Sequence, residues 1–510
     1  MQLSFIHIFG PLLVIIAFWM FGRQMVAKTR GLNFRPLPAM LLMVVAIVVH
    51  FIFGEGTLLD QLSLLLMNFG IGMVIDAGYL AYKQHHPKIF WVPGVLALIL
   101  SGGIYLFSTL LDTLNPRFCS NDPSAVELLV ELGPDDSAEE LKPILKKYNV
   151  SISESNKAFP NVELSEDEDL AQYYILYVDS VFLDPLMKEL KADRENVDNV
   201  ERNGKMALIE PILVESNRQK PGKFVANDPY IASQWYAQTL DYNQIHKLLQ
   251  NQKGKKKAKV AIVDTGIDRN HEDLKNVYVR SGARTDAHGH GSHCSGLAGA
   301  STNNKTGIAS MNWNNEFIQI LAYPALNEQG FGTSESVAQG IIDAAEAGAD
   351  VISLSLGGFS IFPPKVQVDA VEYALSLGAI VVAAAGNSNS DARRHSPSNI
   401  SGVIVVSALN EKLEKASFSN TNTSLKMPIA APGTKILSTI PGSEYQAFSG
   451  TSMATPIVSG LIGIMRAYQP NMTHTEVYQL LKSTSSSGKD ARLVGRTINP
   501  VKVIQTVQQQ

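Results

Sequence analysis

Val260-Ala-Ile-Val-Asp264-Thr-Gly-Ile-Asp268 is the stretch on which the reading of this 510-residue chain turns. A run of small and β-branched apolar residues without polar alternation is the pattern of a parallel strand buried on both faces. Thr265-Gly266 breaks the run. Asp264 therefore falls at a strand's C-terminal end, where open α/β sheets gather their functional groups. Two more segments supply matching chemistry. Gly289-His290-Gly-Ser-His293-Cys294-Ser-Gly296 places a histidine at the start of a helix of small residues. Gly450-Thr-Ser452-Met-Ala-Thr-Pro456 places a serine at a glycine turn that leads into a buried helix. A serine hydroxyl is a poor nucleophile at neutral pH. It needs a base in hydrogen-bond reach, and the base needs an acid to hold its tautomer. A fourth segment, Ala379-Ile-Val-Val-Ala-Ala-Ala-Gly386-Asn387, reads as a buried strand ending at Gly-Asn. An Asn amide there suits a developing oxyanion beside the Ser452 backbone N–H.

The order Asp…His…Ser in these glycine settings resembles the subtilisin-like serine peptidases, the subtilases. The resemblance covers residues 228–507. It implies an α/β fold with a mostly parallel sheet flanked by helices, Asp264, His290 and Ser452 as a triad, and Asn387 as the oxyanion residue. His290 is preferred over His288 and His293 on the family pattern Gly-His-Gly-Thr-His; His288 is expected in a loop and His293 in packing. Val351-Ile-Ser-Leu-Ser355-Leu356-Gly357-Gly358 resembles the family's substrate strand, and Gly330-Phe331-Gly332 its opposing edge strand. Ala384, Ala385 and Gly386 are implied as further substrate contacts. A polypeptide substrate would add as a strand between the two edges. Arg393, Arg394 and His395 fall where the family builds the floor of its first specificity pocket. They either favour polar or acidic side chains there or point to solvent. No cofactor is required for such chemistry. Family members often hold a structural calcium; Asp273 matches one ligand position and Asn303-Asn304-Lys305-Thr-Gly307 resembles the second, with departing spacing. No metal ligand is assigned.

The first 115 residues differ in composition. Apolar stretches at 5–21, 37–53, 62–80 and 89–111 approach the ~20 residues that span a hydrocarbon core, which predicts four transmembrane helices in a lipid bilayer. A cleaved signal peptide is disfavoured, because no Lys or Arg precedes the first stretch and three more follow. Arg23, Lys28, Arg30 and Arg35 lie in the loop after the first stretch, and Lys83 and Lys88 in the loop after the third. Both basic loops are assigned to the cytoplasm, so everything after the fourth stretch is expected on the extracytoplasmic side. Asp76, inside the third stretch, is a candidate functional or interfacial acid.

Residues 123–212 read as strand (from Glu127), helix (capped at Ser137), strand (from Tyr173), helix (with Pro185 in its first turn) and final strands at Val197 and Lys205. The order resembles the small ferredoxin-like propeptide domain of subtilases, which implies a folding chaperone and first inhibitor; a plain spacer or sensor is the other reading. Residues 213–227 read as a linker, and self-cleavage is expected between Glu210 and Asn227. The formal net charge of −4 implies no polyanion partner, and the Lys253–Lys259 run reads as a solvated lead-in, not a nucleic-acid site. Two cysteines, Cys119 and Cys294, give no disulfide framework. The expectation is a membrane-anchored serine endopeptidase made as a self-processing precursor. The alternative is a membrane-bound sensing or binding protein with a silent peptidase fold.

Overall fold

The computed structural model describes residues 125–163, 165, 167–209, 212–214, 224–279 and 285–509. The four apolar stretches, Asp76, Cys119 and most of the expected linker lie outside the described residues. Among the described residues no helix is long and apolar enough to cross a membrane.

The first described part is a small α+β unit. β1 (Ala125–Leu132), α1 (Ala138–Lys146), β2 (Tyr173–Asp179), α2 (Leu183–Ala192) and β3 (Val197–Arg202) follow one another, and β1 lies between β2 and β3, antiparallel to both. α1 starts where a reciprocal cap forms: Glu140 reaches back to the Ser137 N–H at 2.7 Å. Side chains alternate along β1. Val126, Leu128, Val130 and Leu132 join Leu141, Leu145, Leu186 and Leu190 in the unit's own core. Leu129 and Glu131 turn the other way, toward the larger domain. The next strand departs from expectation. β4 (Lys205–Leu208) leaves this sheet and pairs with strands of the larger domain, and β5 (Ile212–Val214) starts one residue before the expected linker and runs into it.

The larger domain runs β6 (Ala258–Asp264), α3 (His290–Gly299), β7 (Ile318–Pro324), β8 (Phe331–Thr333), α4 (Ser334–Glu346), β9 (Val351–Leu354), β10 (Leu356–Phe359), α5 (Lys365–Ser376), β11 (Ile380–Ala384), β12 (His395–Ser396), β13 (Ile404–Leu409), β14 (Pro428–Pro432), β15 (Ile436–Ile440), β16 (Glu444–Ser449), α6 (Thr451–Tyr468) and β17 (Arg496–Thr497), with shorter helices between and after them. Seven strands form a parallel sheet in the order β17-β14-β13-β11-β9-β6-β7. Helices cover both of its faces, which is why β6 is apolar at every position from Val260 to Val263. Val260 and Ile262 pack with Leu297 of α3 and Ile457 and Leu461 of α6. Ala261 and Val263 pack with Ile341 of α4 and Val371 of α5. Each fully buried aliphatic side chain is worth about 1.5–3 kcal/mol. Every residue of α6 is buried. Its close approach to α3 depends on Gly460, where a Cβ would strike the Ala298 carbonyl.

Candidate active site

β6 delivers Asp264, α3 begins with His290, and α6 begins one residue before Ser452. Asp264 and His290 are fully buried, and His290 Nδ1 lies 2.8 and 3.0 Å from the two Asp264 carboxylate oxygens. The Thr265 N–H also donates to Asp264, at 2.8 Å. Burial opposes the imidazolium, but the neighbouring Asp264 carboxylate outweighs it and raises the His290 pKa well above the usual range. Ser452 Oγ lies 3.1 Å from the Ser355 carbonyl and 3.4 Å from the Ile209 carbonyl. His290 Nε2 has no hydrogen-bond partner among the described residues. In this conformer Ser452 therefore faces the cleft instead of its base.

Asn387 accepts the Thr451 N–H at 2.9 Å and the Thr451 hydroxyl at 3.0 Å through Oδ1. That anchor turns its Nδ2 donors toward Gly450, where a Cβ would sit 3.1 Å from Nδ2. Gly386 holds φ +104°, in the left-handed region that glycine tolerates, and its N–H bonds Thr451 Oγ1 at 3.1 Å. Ala384 and Ala385 are buried behind it.

The two expected substrate edges face each other across β4. Leu208 lies opposite Leu356 and Ala207 opposite Gly357. On the other side Ala207 lies opposite Phe331, Met206 opposite Gly332, and the Leu208 N–H donates to the Gly330 carbonyl at 2.9 Å. Both pairings are antiparallel, and the sheet order is β12-β10-β4-β8. Gly358 packs on Met206 and Gly357 on Ile209. The Ser355 hydroxyl donates to the Ser452 carbonyl at 2.9 Å, tying β10's approach to the catalytic helix. The chain thus occupies its own cleft, with the Ile209 carbonyl beside Ser452.

Of the three histidines, His293 is buried and stacks on Phe448 at 4.3 Å; burial and the nearby His290 push its pKa down to about 3, so it stays neutral. His288 stands edge-on to His290 with ring centres 6.4 Å apart. The pocket floor differs from the basic one considered above. Arg393 and Arg394 are exposed, and Arg393 pairs with Asp391 at 2.8 Å. His395 lies near Gly386, farther out than Asn420, and burial lowers its pKa.

Sequence reasoning missed Asp286. It is buried and accepts from Thr265 Oγ1, the Gly289 N–H and the Ser292 N–H, each at 2.8 Å. It so joins the turn after Asp264 to the start of α3. The available signal was an acid just ahead of a helix start. Cys294 is buried and free, 3.8 Å from His290 Nδ1.

The calcium question has a structural side. Asp228 and Asp273 are both buried against loop 303–308. Asp228 accepts from the Asn303 and Asn304 N–H groups, and Asp273 from Asn304 Nδ2, the Ile308 N–H and the Tyr445 hydroxyl. Burial pushes both carboxyls up to about 6. Lys305 is exposed, outside the group. Among the described residues neither acid makes an ion pair with Lys or Arg. Those donors meet both oxygens of each carboxylate, so a hard cation such as calcium would be held by Asp228, Asp273 and Asn304 only in exchange for these hydrogen bonds.

Comparison with known proteins agrees with this architecture. Residues 255–497 match the subtilase family. Thermitase from Thermoactinomyces vulgaris is 41 % identical over 250 residues, 48 % of this chain and 85 % of that protein. The thermophilic serine proteinase of Bacillus sp. (strain AK1) is 36 % identical over 298 residues, 57 % of this chain and 71 % of that protein. Fervidolysin from Fervidobacterium pennivorans, a keratinolytic enzyme related to subtilisin, superposes with a TM-score of 0.60 at 23 % identity, over 75 % of this chain and 61 % of that one, a likeness of fold. An acid at a strand end of a parallel sheet with a histidine and a serine at two helix starts, in a chain with relatives this similar, makes this protein a member of the subtilase family of serine peptidases.

Proposed function

We propose that this serine endopeptidase is a membrane-anchored precursor that faces the extracytoplasmic space and cuts its own chain at Ile209–Glu210. Ser452 is the nucleophile and His290 its base. Rotation about the serine Cα–Cβ bond brings Oγ from the Ser355 carbonyl toward His290 Nε2. Oγ then bonds the scissile carbonyl carbon while its proton passes to Nε2. Asp264 holds the Nδ1–H tautomer and stabilises the imidazolium. The oxyanion is held by Asn387 Nδ2 and the Ser452 N–H. The imidazolium protonates the departing amine as the C–N bond breaks. Water, activated by the same imidazole, then hydrolyses the acyl-enzyme.

The observation that carries the reading is the Ile209 carbonyl 3.4 Å from Ser452 Oγ, at the end of a strand that pairs with both cleft edges. The first bond on offer to the serine is thus just ahead of the stretch 210–227 expected from the sequence. Residues 125–202 act in this reading as a propeptide that holds the tail in place. Membrane anchoring rests on the four apolar stretches and the basic residues of their loops.

The test compares wild type and Ser452→Ala expressed in membranes, by N-terminal sequencing of the C-terminal fragment. A fragment beginning at Glu210 in wild type alone is expected. Full-length chain in both, together with no labelling of Ser452 by a serine-reactive probe, would overturn the reading.

A further inference from the structure

The strand that lies in the cleft has two faces, and only one of them is buried. Along β4, Met206 and Leu208 turn inward and are buried, while Lys205 and Ala207 turn outward. On that outer face the β8 edge presents an aromatic ring. Phe331 lies opposite Ala207, and Thr333 opposite Lys205, so Lys205 is the diagonal neighbour of Phe331. The residues on either side of Phe331 are Gly330 and Gly332. A Cβ on Gly330 would strike Leu208 Cδ1, and one on Gly332 the Ala325 carbonyl, so neither place admits a side chain. Phe331 is 38 % exposed, and the Lys205 ammonium sits over its ring, 4.5 Å from the centroid.

The backbone that carries this ring is held by bonds within its own segment. The Phe331 N–H donates to Asn327 Oδ1 at 3.0 Å, and the Phe331 carbonyl accepts the Asn327 N–H at 2.8 Å. The Gly330 N–H closes the turn on the Asn327 carbonyl at 2.9 Å. Two residues further on, Thr333 Oγ1 caps α4 by accepting the Ser336 N–H at 3.0 Å, and the Ser336 hydroxyl accepts the Thr333 N–H at 2.9 Å. None of these bonds involves β4, so the ring's place does not depend on the strand beside it. The face of a phenyl ring carries negative potential and attracts a cation.

We propose that Phe331 is a specificity-determining residue, which selects a Lys or Arg side chain at the fifth residue before the scissile bond through the face of its ring. This rests on the reading that Ile209–Glu210 is the bond attacked, which makes Ile209 the first residue before it and Lys205 the fifth. The substrate class follows. The enzyme favours an extended polypeptide with a basic residue at that place. It disfavours Asp or Glu there, because a carboxylate meets the same ring face with the opposite sign. Arg suits the site as well as Lys does, since a guanidinium stacks on aromatic faces.

The test uses the self-processed enzyme purified from membranes and quenched fluorescent peptides. The parent peptide copies residues 203–214. A second carries norleucine in place of Lys205, which keeps the stem and removes the charge. A third carries Lys205→Arg and a fourth Lys205→Glu. An exposed cation–π contact is worth a factor of about two to five. Wild-type kcat/KM should therefore fall by that factor from the parent to the norleucine peptide, fall further with glutamate, and hold with arginine. In Phe331→Leu the parent and norleucine peptides should be cut at equal kcat/KM, whereas Phe331→Tyr should keep the wild-type ratio. Each comparison is a ratio within one enzyme, so a lower yield of folded variant does not enter it. Equal kcat/KM for the parent and norleucine peptides in wild type overturns the proposal while leaving Ile209–Glu210 as the bond cut. A lysine preference of wild-type size in Phe331→Leu overturns it too, because the charge is then read elsewhere. Absence of cleavage between Ile and Glu in the parent removes the underlying reading instead.

Discussion

Two buried carboxylate networks in this molecule solve the same problem in opposite ways. In the catalytic site one acid, Asp264, faces one imidazole, His290, while the nearby buried Asp286 is met by Thr265 Oγ1 and two backbone N–H groups. At the contact between the N-terminal unit and the peptidase, acids outnumber their partner. Tyr173 Oη lies 2.7 Å from Asp369 and 3.0 Å from Glu131. Lys365 Nζ reaches Asp369 at 2.9 Å, Glu131 at 3.0 Å and Asp169 at 3.6 Å. Glu201 caps the start of α5 by accepting the Lys365 and Val366 N–H groups, each at 3.0 Å. Asn203 links Glu127 to the Glu335 N–H at the start of α4. Burial pushes Glu131 up to about 7, against the pull of Lys365, and Glu335 up to about 7 with Glu127 adding to it. Burial also raises Glu127, Glu201 and Asp369. A matched pair is stable machinery at neutral pH. An acid-rich contact holds best when it can keep protons.

The comparison breaks most visibly if the matched pair is unmatched. Asp264→Asn keeps the shape but removes the charge and the tautomer control, and should lower kcat about 10⁴-fold. Steady-state kinetics on a casein or peptide substrate measures it; a loss under tenfold would mean His290 does not depend on Asp264. Next in size is Asn387→Ala, which takes one donor from the oxyanion. It should lower kcat about 10²–10³-fold with KM nearly unchanged. A change mainly in KM would assign Asn387 to ground-state binding.

At the acid-rich contact the sign runs with pH. Burial in the contact raises the Glu131 carboxyl from the ordinary 4.5 to about 7. The contact therefore binds more protons than its parts between those values, and it weakens as pH rises through that window. After self-cleavage, capture of the peptidase through a tag on the N-terminal segment should fall from pH 5 to pH 8. Glu131→Gln removes one of the three acids around Lys365, and should retain about tenfold more peptidase at pH 8 than wild type does. Retention that is flat with pH in wild type, or a variant that releases sooner, would show that these acids do not govern the contact.

The smallest effect concerns a third set of buried acids, Asp228 and Asp273. Calcium should raise Tm by a few degrees, as a ligand bound to the native state alone does. Asp273→Asn should abolish that response in calorimetry with and without chelator. An unchanged wild-type Tm would mean that the hydrogen bonds from Asn304, Ile308 and Tyr445 suffice.

Much of this was legible in the chain itself. Val260–Val263 carries no polar residue because both faces of its strand are covered, so composition alone marks it. Asp264, His290, Asn387 and Ser452 each sit beside glycines or small residues that let the backbone turn, and the structure brings Asp264 into contact with His290 and Asn387 onto the turn before Ser452. Other features were not legible. Lys205–Leu208 reads as a strand from its pattern, but pattern does not say which sheet will take it. Asp286 looks like any loop acid until three donors converge on it. Arg393 and Arg394 looked like a pocket floor, yet a local ion pair with Asp391 holds Arg393 outside.

The sequence by itself determined the sheet, the elements that start or end at the reacting groups, and the chemistry those groups perform. These depend on periodicity and on neighbours a few residues apart. The tertiary structure alone decided that residues 205–209 fill the cleft, that β5 extends along β16, and that Glu131 meets Tyr173, Lys365 and Asp369 in a buried contact. Tyr173 and Asp369 are 196 residues apart in the chain. Whether such acids stay charged depends on distance and desolvation, quantities that exist only once the chain has closed on itself.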